Sequence, residues 1–157
     1  MYLNKRTYIG NQYRDVEKQV KVIVPANQEG VIFPTEKINS GRISEIIEEV
    51  GYWRKANQIH NWFVENIQKG EDNCGEYYVS KDKLVELSNL CKKIKEKELI
   101  PEEALPTQRG YFFGSTEYDE YYMEDIENTI AIIEDILTND VDEDGNLTGS
   151  IYYSSSW

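Results

Sequence analysis

The sequence predicts an α+β fold: one domain over residues 1–157, with a small, mostly antiparallel sheet packed with about three helices. Three observations point there. Both ends of the chain are rich in β-branched and aromatic residues suited to pleated strands, three internal stretches repeat apolar residues at helical spacing, and no regular βαβ rhythm joins the two kinds of segment. At this length a single core can hide roughly two thirds of the unfolded surface, so no staple is required.

The first 24 residues read as β, with MYLNKRTYI as one strand and VKVIV at 20–24, ending at Pro25, as another. A loop rich in Asn, Gly and Pro follows to about Gly41. The next stretch, RISEIIEEVGYW, fits a third strand or the start of a helix, and its periodicity does not decide between them. Residues 54–69 form a clearer helix, because Ala56, Ile59, Phe63, Val64 and Ile67 share one face and Gly70 ends it. GEYYVS at 75–80 reads as a short strand leading to Ser80 as the N-cap of a helix over 81–97, whose apolar side carries Leu84, Leu87, Leu90, Cys91 and Ile94. LIPEEALPTQRG reads as a loop and YFF as a short aromatic strand. Thr116 with Asp119 three residues on resembles a capping box, opening a helix over 117–138 that turns Met123, Ile126, Ile130, Ile133, Ile136 and Leu137 inward. IYYSSSW closes the chain as a strand.

The formal net charge of −12 is unevenly spread. Residues 1–70 hold ten Lys/Arg against eight Asp/Glu, and residues 71–157 hold seven against twenty-one. Beyond Arg109 there is no basic residue, whereas twelve carboxylates lie between Glu117 and Asp144. Such a surface repels phosphates, which argues against direct nucleic-acid binding and for either a solvated acidic face or a basic partner. The two cysteines, Cys74 and Cys91, show no metal-ligand spacing and imply no disulfide framework. With no signal-peptide pattern and no apolar run near the roughly 20 residues of a membrane span, a cytoplasmic protein without membrane attachment is expected.

Chemistry-bearing motifs are few. In DVDEDGNLT, Asp140, Asp142, Asp144 and Gly145 match the first half of an EF-hand calcium loop, but Ile151 stands where the bidentate Glu belongs. The candidate is weak, and an acidic surface turn explains it as well. No phosphate-binding loop, nucleophile elbow or dinucleotide fingerprint is present, and His60 is the only histidine, hence the only candidate for histidine acid–base catalysis. No cofactor is expected.

Two stretches concentrate ligand-type side chains. In GYWRKANQIHNWF, 51–63, a helix beginning near Trp53 would align Trp53, Asn57 and His60 on one stripe with Arg54 and Gln58 beside it. An aromatic plane with a guanidinium, an amide and an imidazole suits a nucleotide-like anion; the alternative is a helix seating Trp62 and Phe63 in a core, capped by Trp53. In PTQRGYFFGSTEYDEYY, 106–122, Gly110 and Gly114 flank aromatics and permit close backbone approach. Arg109 there either holds an anion or pairs with Glu117 or Asp119.

The chain also resembles a family of small proteins of bacteriophages and prophages. Its members carry a GYWRKAN-x-IH-x-WF block, an LLPT-x-x-GFFFGSTEYDEYY block and a terminal Tyr-Tyr-x-Ser-Ser-Trp. The matching segments are MYL at 1–3, GYWRKANQIHNWF, CGEYYVS at 74–80, ALPTQRGYFFGSTEYDEYY at 104–122 and YYSSSW at 152–157, together about half the chain. The resemblance implies a phage accessory protein in a bacterial host cell and supplies no catalytic residues. With it, the leading expectation is a non-enzymatic counter-defence protein that sequesters a nucleotide-derived or other anionic small molecule. Trp53, Arg54, Asn57, His60 and Arg109 would contact that ligand, and Tyr111, Phe112 and Tyr118 would form its wall. One alternative is an acidic inhibitor of a host nucleic-acid-binding or immune protein; another is a small nucleotide-processing enzyme using His60. A homo-oligomer is compatible with all three.

Overall fold

A computed structural model of the chain describes residues 1–9, 42–110 and 114–156. Its elements are β1 (Tyr2–Tyr8), β2 (Glu45–Tyr52), α1 (Asn57–Asn66), β3 (Glu76–Val79), α2 (Lys81–Lys95), α3 (Pro101–Ala104), α4 (Glu120–Asn139) and β4 (Ser150–Ser154). The fold is α+β, with one four-stranded sheet in the order β2-β1-β4-β3. Both pairings with β4 are antiparallel, setting Leu3 opposite Tyr153 and Val79 opposite Ile151. The chain divides into two compact units, Met1–Arg6 with Ile47–Trp157, and Thr7–Ile46. Of the smaller unit only 7–9 and 42–46 are described, and there Ile9 N donates to Ser44 O at 2.8 Å. The expected strand VKVIV and the loop to Gly41 lie outside the described residues, as does YFF at 111–113.

The core of the larger unit follows from two periodicities. Alternation along the strands turns Leu3, Val79, Ile151 and Tyr153 inward, and the helical repeat adds Ile59 and Phe63 of α1, Leu84, Leu87, Cys91 and Ile94 of α2, and Ile126, Ile130, Ile133 and Ile136 of α4. The Phe63 ring stacks on Tyr153 at 4.0 Å between centroids, and Trp62 meets Phe63 edge-on at 5.3 Å. Gly51 lets β2 approach α4, because a Cβ there would lie 2.7 Å from Ile132 Cγ2. Burial pushes the Cys91 thiol up to about 12, making it a small inert hydrophobe.

Several element boundaries differ from the sequence expectation, each for a local reason. Residues 45–52 are strand, which settles the ambiguous third segment. Helix α1 starts at Asn57 rather than near Trp53, because Lys55 takes a left-handed φ of 64° and breaks the run. It ends at Asn66, and the chain turns through Lys69 and Gly70, both at positive φ. Ser80 caps α2 as expected, accepting from Lys83 N at 3.3 Å. Thr116 does not cap α4; Asp119 does, its Oδ1 accepting from Tyr121 N at 3.1 Å and Tyr122 N at 3.2 Å. The stretch expected as a loop near 101 contains the single turn α3, started by Pro101 at its first position.

Candidate functional site

The two ligand-type stretches meet in space, and one side chain joins them. Asn57, buried at the start of α1, donates from Nδ2 to Ser115 O at 2.9 Å and accepts at Oδ1 from Gln108 N at 2.7 Å. It thereby ties both limbs of the 106–116 segment to α1. The segment is held further by Thr107, whose Oγ1 donates to Thr116 O at 2.9 Å, and by Tyr122, whose hydroxyl donates to Leu105 O at 3.0 Å. Gly114 permits a close approach, since a Cβ there would stand 3.1 Å from Lys55 O.

This junction bounds a cleft of about 340 Å³, lined by Arg54, Lys55, Asn57, Gln58, Gly114, Ser115, Glu117, Asp119, Tyr121, Tyr122, Glu124 and Asp125. Four of those side chains are carboxylates and two are cations. Arg54 and Lys55 are exposed and make no ion pair among the described residues. Burial raises the Asp125 carboxyl above its ordinary range; a hydrogen bond from Gln58 Nε2 at 3.0 Å opposes that shift, and Glu124 and Asp119 add to it by repulsion. Tyr121 leaves 64% of its surface exposed at the rim.

The expected stripe of Trp53, Asn57 and His60 does not form. Trp53 precedes the helix, is 1% exposed, and donates from Nε1 to Thr129 Oγ1 at 2.9 Å inside the core. His60 is 2% exposed, with Nδ1 2.6 Å from the Tyr153 hydroxyl and Nε2 3.1 Å from Asp72 Oδ2. Burial, followed by the neighbouring Asp72 charge, drives the Tyr153 phenol pKa up. His60 and Trp53 therefore hold the interior and do not line the cleft. Tyr118 is half-buried against Tyr122, with ring centroids 5.0 Å apart, and its hydroxyl accepts from Thr107 N at 3.2 Å. Arg109 is exposed outside the cleft lining and pairs with neither Glu117 nor Asp119. Tyr111 and Phe112 lie outside the described residues. Of the expected contact residues, the cleft thus contains Arg54 and Asn57. Glu124 and Asp125, expected on the acidic helix as part of a surface for a basic host protein rather than beside the 51–63 stretch, reach the cleft through the position of α4 against α1.

The turn at 140–148 has other occupations for its carboxylates. Asp140 and Glu48 both pair with the buried Lys5 ammonium, Glu48 at 2.8 Å. Desolvation alone would lower the Lys5 pKa, but the two carboxylates outweigh it and the net direction is up. Asp142 Oδ1 accepts from Asp144 N at 3.1 Å and Asn146 N at 2.7 Å, and Lys81 Nζ donates to Gly145 O. Among the described residues no group of three or more His, Cys, Asp or Glu is placed to hold a metal ion.

No family model, curated protein or solved structure matches the chain. No helix among the described residues is long and apolar enough to cross a membrane.

Proposed function

We propose that this chain is an accessory binding protein of the bacteriophage type, acting in the cytoplasm of a bacterial host as an inhibitor that presents its acidic surface to a basic host protein. The observation that supports this reading is the cleft's charge: Glu117, Asp119, Glu124 and Asp125 stand against Arg54 and Lys55, on a chain whose formal net charge is −12. A cationic side chain entering there gains from the local carboxylates and from the field of the whole molecule. Tyr121 at the rim offers the kind of rigid aromatic anchor on which interface energy concentrates. The motif resemblance supports the phage setting. The test is capture from bacterial lysate with the tagged protein, comparing it with a Glu117→Lys/Glu124→Lys variant. A basic host protein held at low salt, released toward about 0.5 M NaCl and absent from the variant is the expected result. Retention indifferent to both salt and charge reversal sinks the reading.

A second reading has one observation in its favour: Arg54 and Lys55 stand in the cleft without ion-pair partners among the described residues. They could grip an anionic, nucleotide-derived molecule. Native mass spectrometry of protein from infected cells would show such a ligand as a stoichiometric mass, and Arg54→Ala would weaken its binding by roughly 1.5–3 kcal/mol.

A further inference from the structure

The face of the sheet turned away from the helices carries at least one outward-facing tyrosine from every strand. Because Leu3, Val79, Ile151 and Tyr153 point into the core, alternation places Tyr2 and Arg6 of β1, Tyr78 and Glu76 of β3 and Tyr152 of β4 on the opposite side. Tyr152 lies opposite Tyr78 in the ladder, their rings 6.0 Å apart and edge-on. On the other side of the sheet's centre, Tyr52 of β2 sits 5.3 Å from Tyr2. In strand order the four rings are Tyr52, Tyr2, Tyr152 and Tyr78, with Tyr78 56% and Tyr52 45% exposed.

Strand propensity and cross-strand pairing explain why tyrosines suit these positions. They do not specify what covers the outer rings; charge and the behaviour of Arg6 do. The Arg6 guanidinium carbon lies 5.0 Å from the Tyr152 ring centroid while its Nη2 pairs with Glu76, so this surface already seats a planar cation between an aromatic face and a carboxylate. A phosphate backbone or a second copy of the chain would each bring negative charge to a molecule of formal charge −12. A cation avoids that penalty, and a guanidinium stacks on rings better than an ammonium.

We propose that this tyrosine face docks an arginine-bearing basic segment of another protein. It stands on residues distinct from the cleft and does not rest on the cleft reading. The probe is a fluorescent oligo-arginine peptide, titrated alongside oligo-lysine and a thymidine oligonucleotide. Oligo-arginine is expected to bind more tightly than oligo-lysine, Tyr52→Ser/Tyr78→Ser to weaken it by about tenfold, and Tyr52→Phe/Tyr78→Phe to preserve it. Both pairs lie on an exposed face, and circular dichroism melts establish that each variant folds; the Phe pair, which keeps the rings, decides the matter should the Ser pair unfold. The proposal is overturned if oligo-lysine binds as well as oligo-arginine, or if Glu124→Lys abolishes binding while the Ser pair leaves it intact, which assigns the peptide to the cleft. It is likewise overturned if the oligonucleotide is the species whose binding the tyrosines control, or if sedimentation shows dimers that the Ser pair dissolves.

Discussion

Asn57 shows why a block of polar and aromatic residues can look like a ligand site and still be interior. In the 51–63 stretch Trp53, Asn57, Gln58 and His60 are buried, and each makes hydrogen bonds within the protein: to Thr129, to Ser115 and Gln108, to Asp125, and to Tyr153 and Asp72. A buried polar group without a partner costs about 1–3 kcal/mol, so residues of this kind are retained wherever the fold offers them partners. The sequence displayed the polar inventory but not the partners, which sit far along the chain. Arg54, with no such internal obligation, faces the cleft. Replacing Asn57 by Ala would orphan Ser115 O and Gln108 N together, and unfolding in urea is expected to show a loss of about 2 kcal/mol. A variant as stable as the parent would mean the segment finds other anchors.

At the scale of elements, what could be read ahead was what local chemistry dictates. The apolar positions 84, 87, 91 and 94, with Ser80 in front, define α2 without reference to the rest of the molecule, and the structure places that helix at Lys81–Lys95. The same holds for β1 and β4, which are rich in aromatic and branched residues. Two features escaped because they depend on backbone choices that residue type does not announce. Lys55 adopts a left-handed conformation usually left to Gly or Asn, and so moves the start of α1 past Trp53. At α4 two oxygens competed for the cap, and Asp119 took the role expected of Thr116. Asp119→Ala is therefore expected to lower stability by about 1 kcal/mol, while Thr116→Ala stays within roughly 0.5 kcal/mol of the parent. Thermal melts of the pair separate the two assignments, and the reverse order would restore Thr116 as the cap.

For the whole molecule the governing quantity is the imbalance of seven basic against twenty-one acidic residues over 71–157. Some of that charge is locally compensated, as where Lys92 meets Glu134 at 2.8 Å and Lys95 meets Glu127 at 3.0 Å, but exposed pairs of this kind contribute little. The uncompensated carboxylates repel one another, and salt screens that repulsion over a distance of about 10 Å at 0.1 M. The melting temperature is expected to rise by a few degrees from about 20 mM to about 300 mM NaCl. A fall would show that attractive pairs outweigh the repulsion. The acidic excess was visible in the sequence; that Glu117, Asp119, Glu124 and Asp125 face Arg54 and Lys55 across one cleft was not, because the two stretches lie far apart along the chain.

The pairing of β1 with β4 joins Tyr2 to Ser154, residues from opposite ends of the described chain, at the centre of the sheet. During synthesis β1 must wait with its inner edge open until Ser150–Ser154 has left the ribosome, and β3, whose partner in the sheet is also β4, waits with it. Loop closure on this scale slows folding, and an unpaired strand edge is a template for the wrong partner. β4 is thus the strand that shields the inner edge of β1.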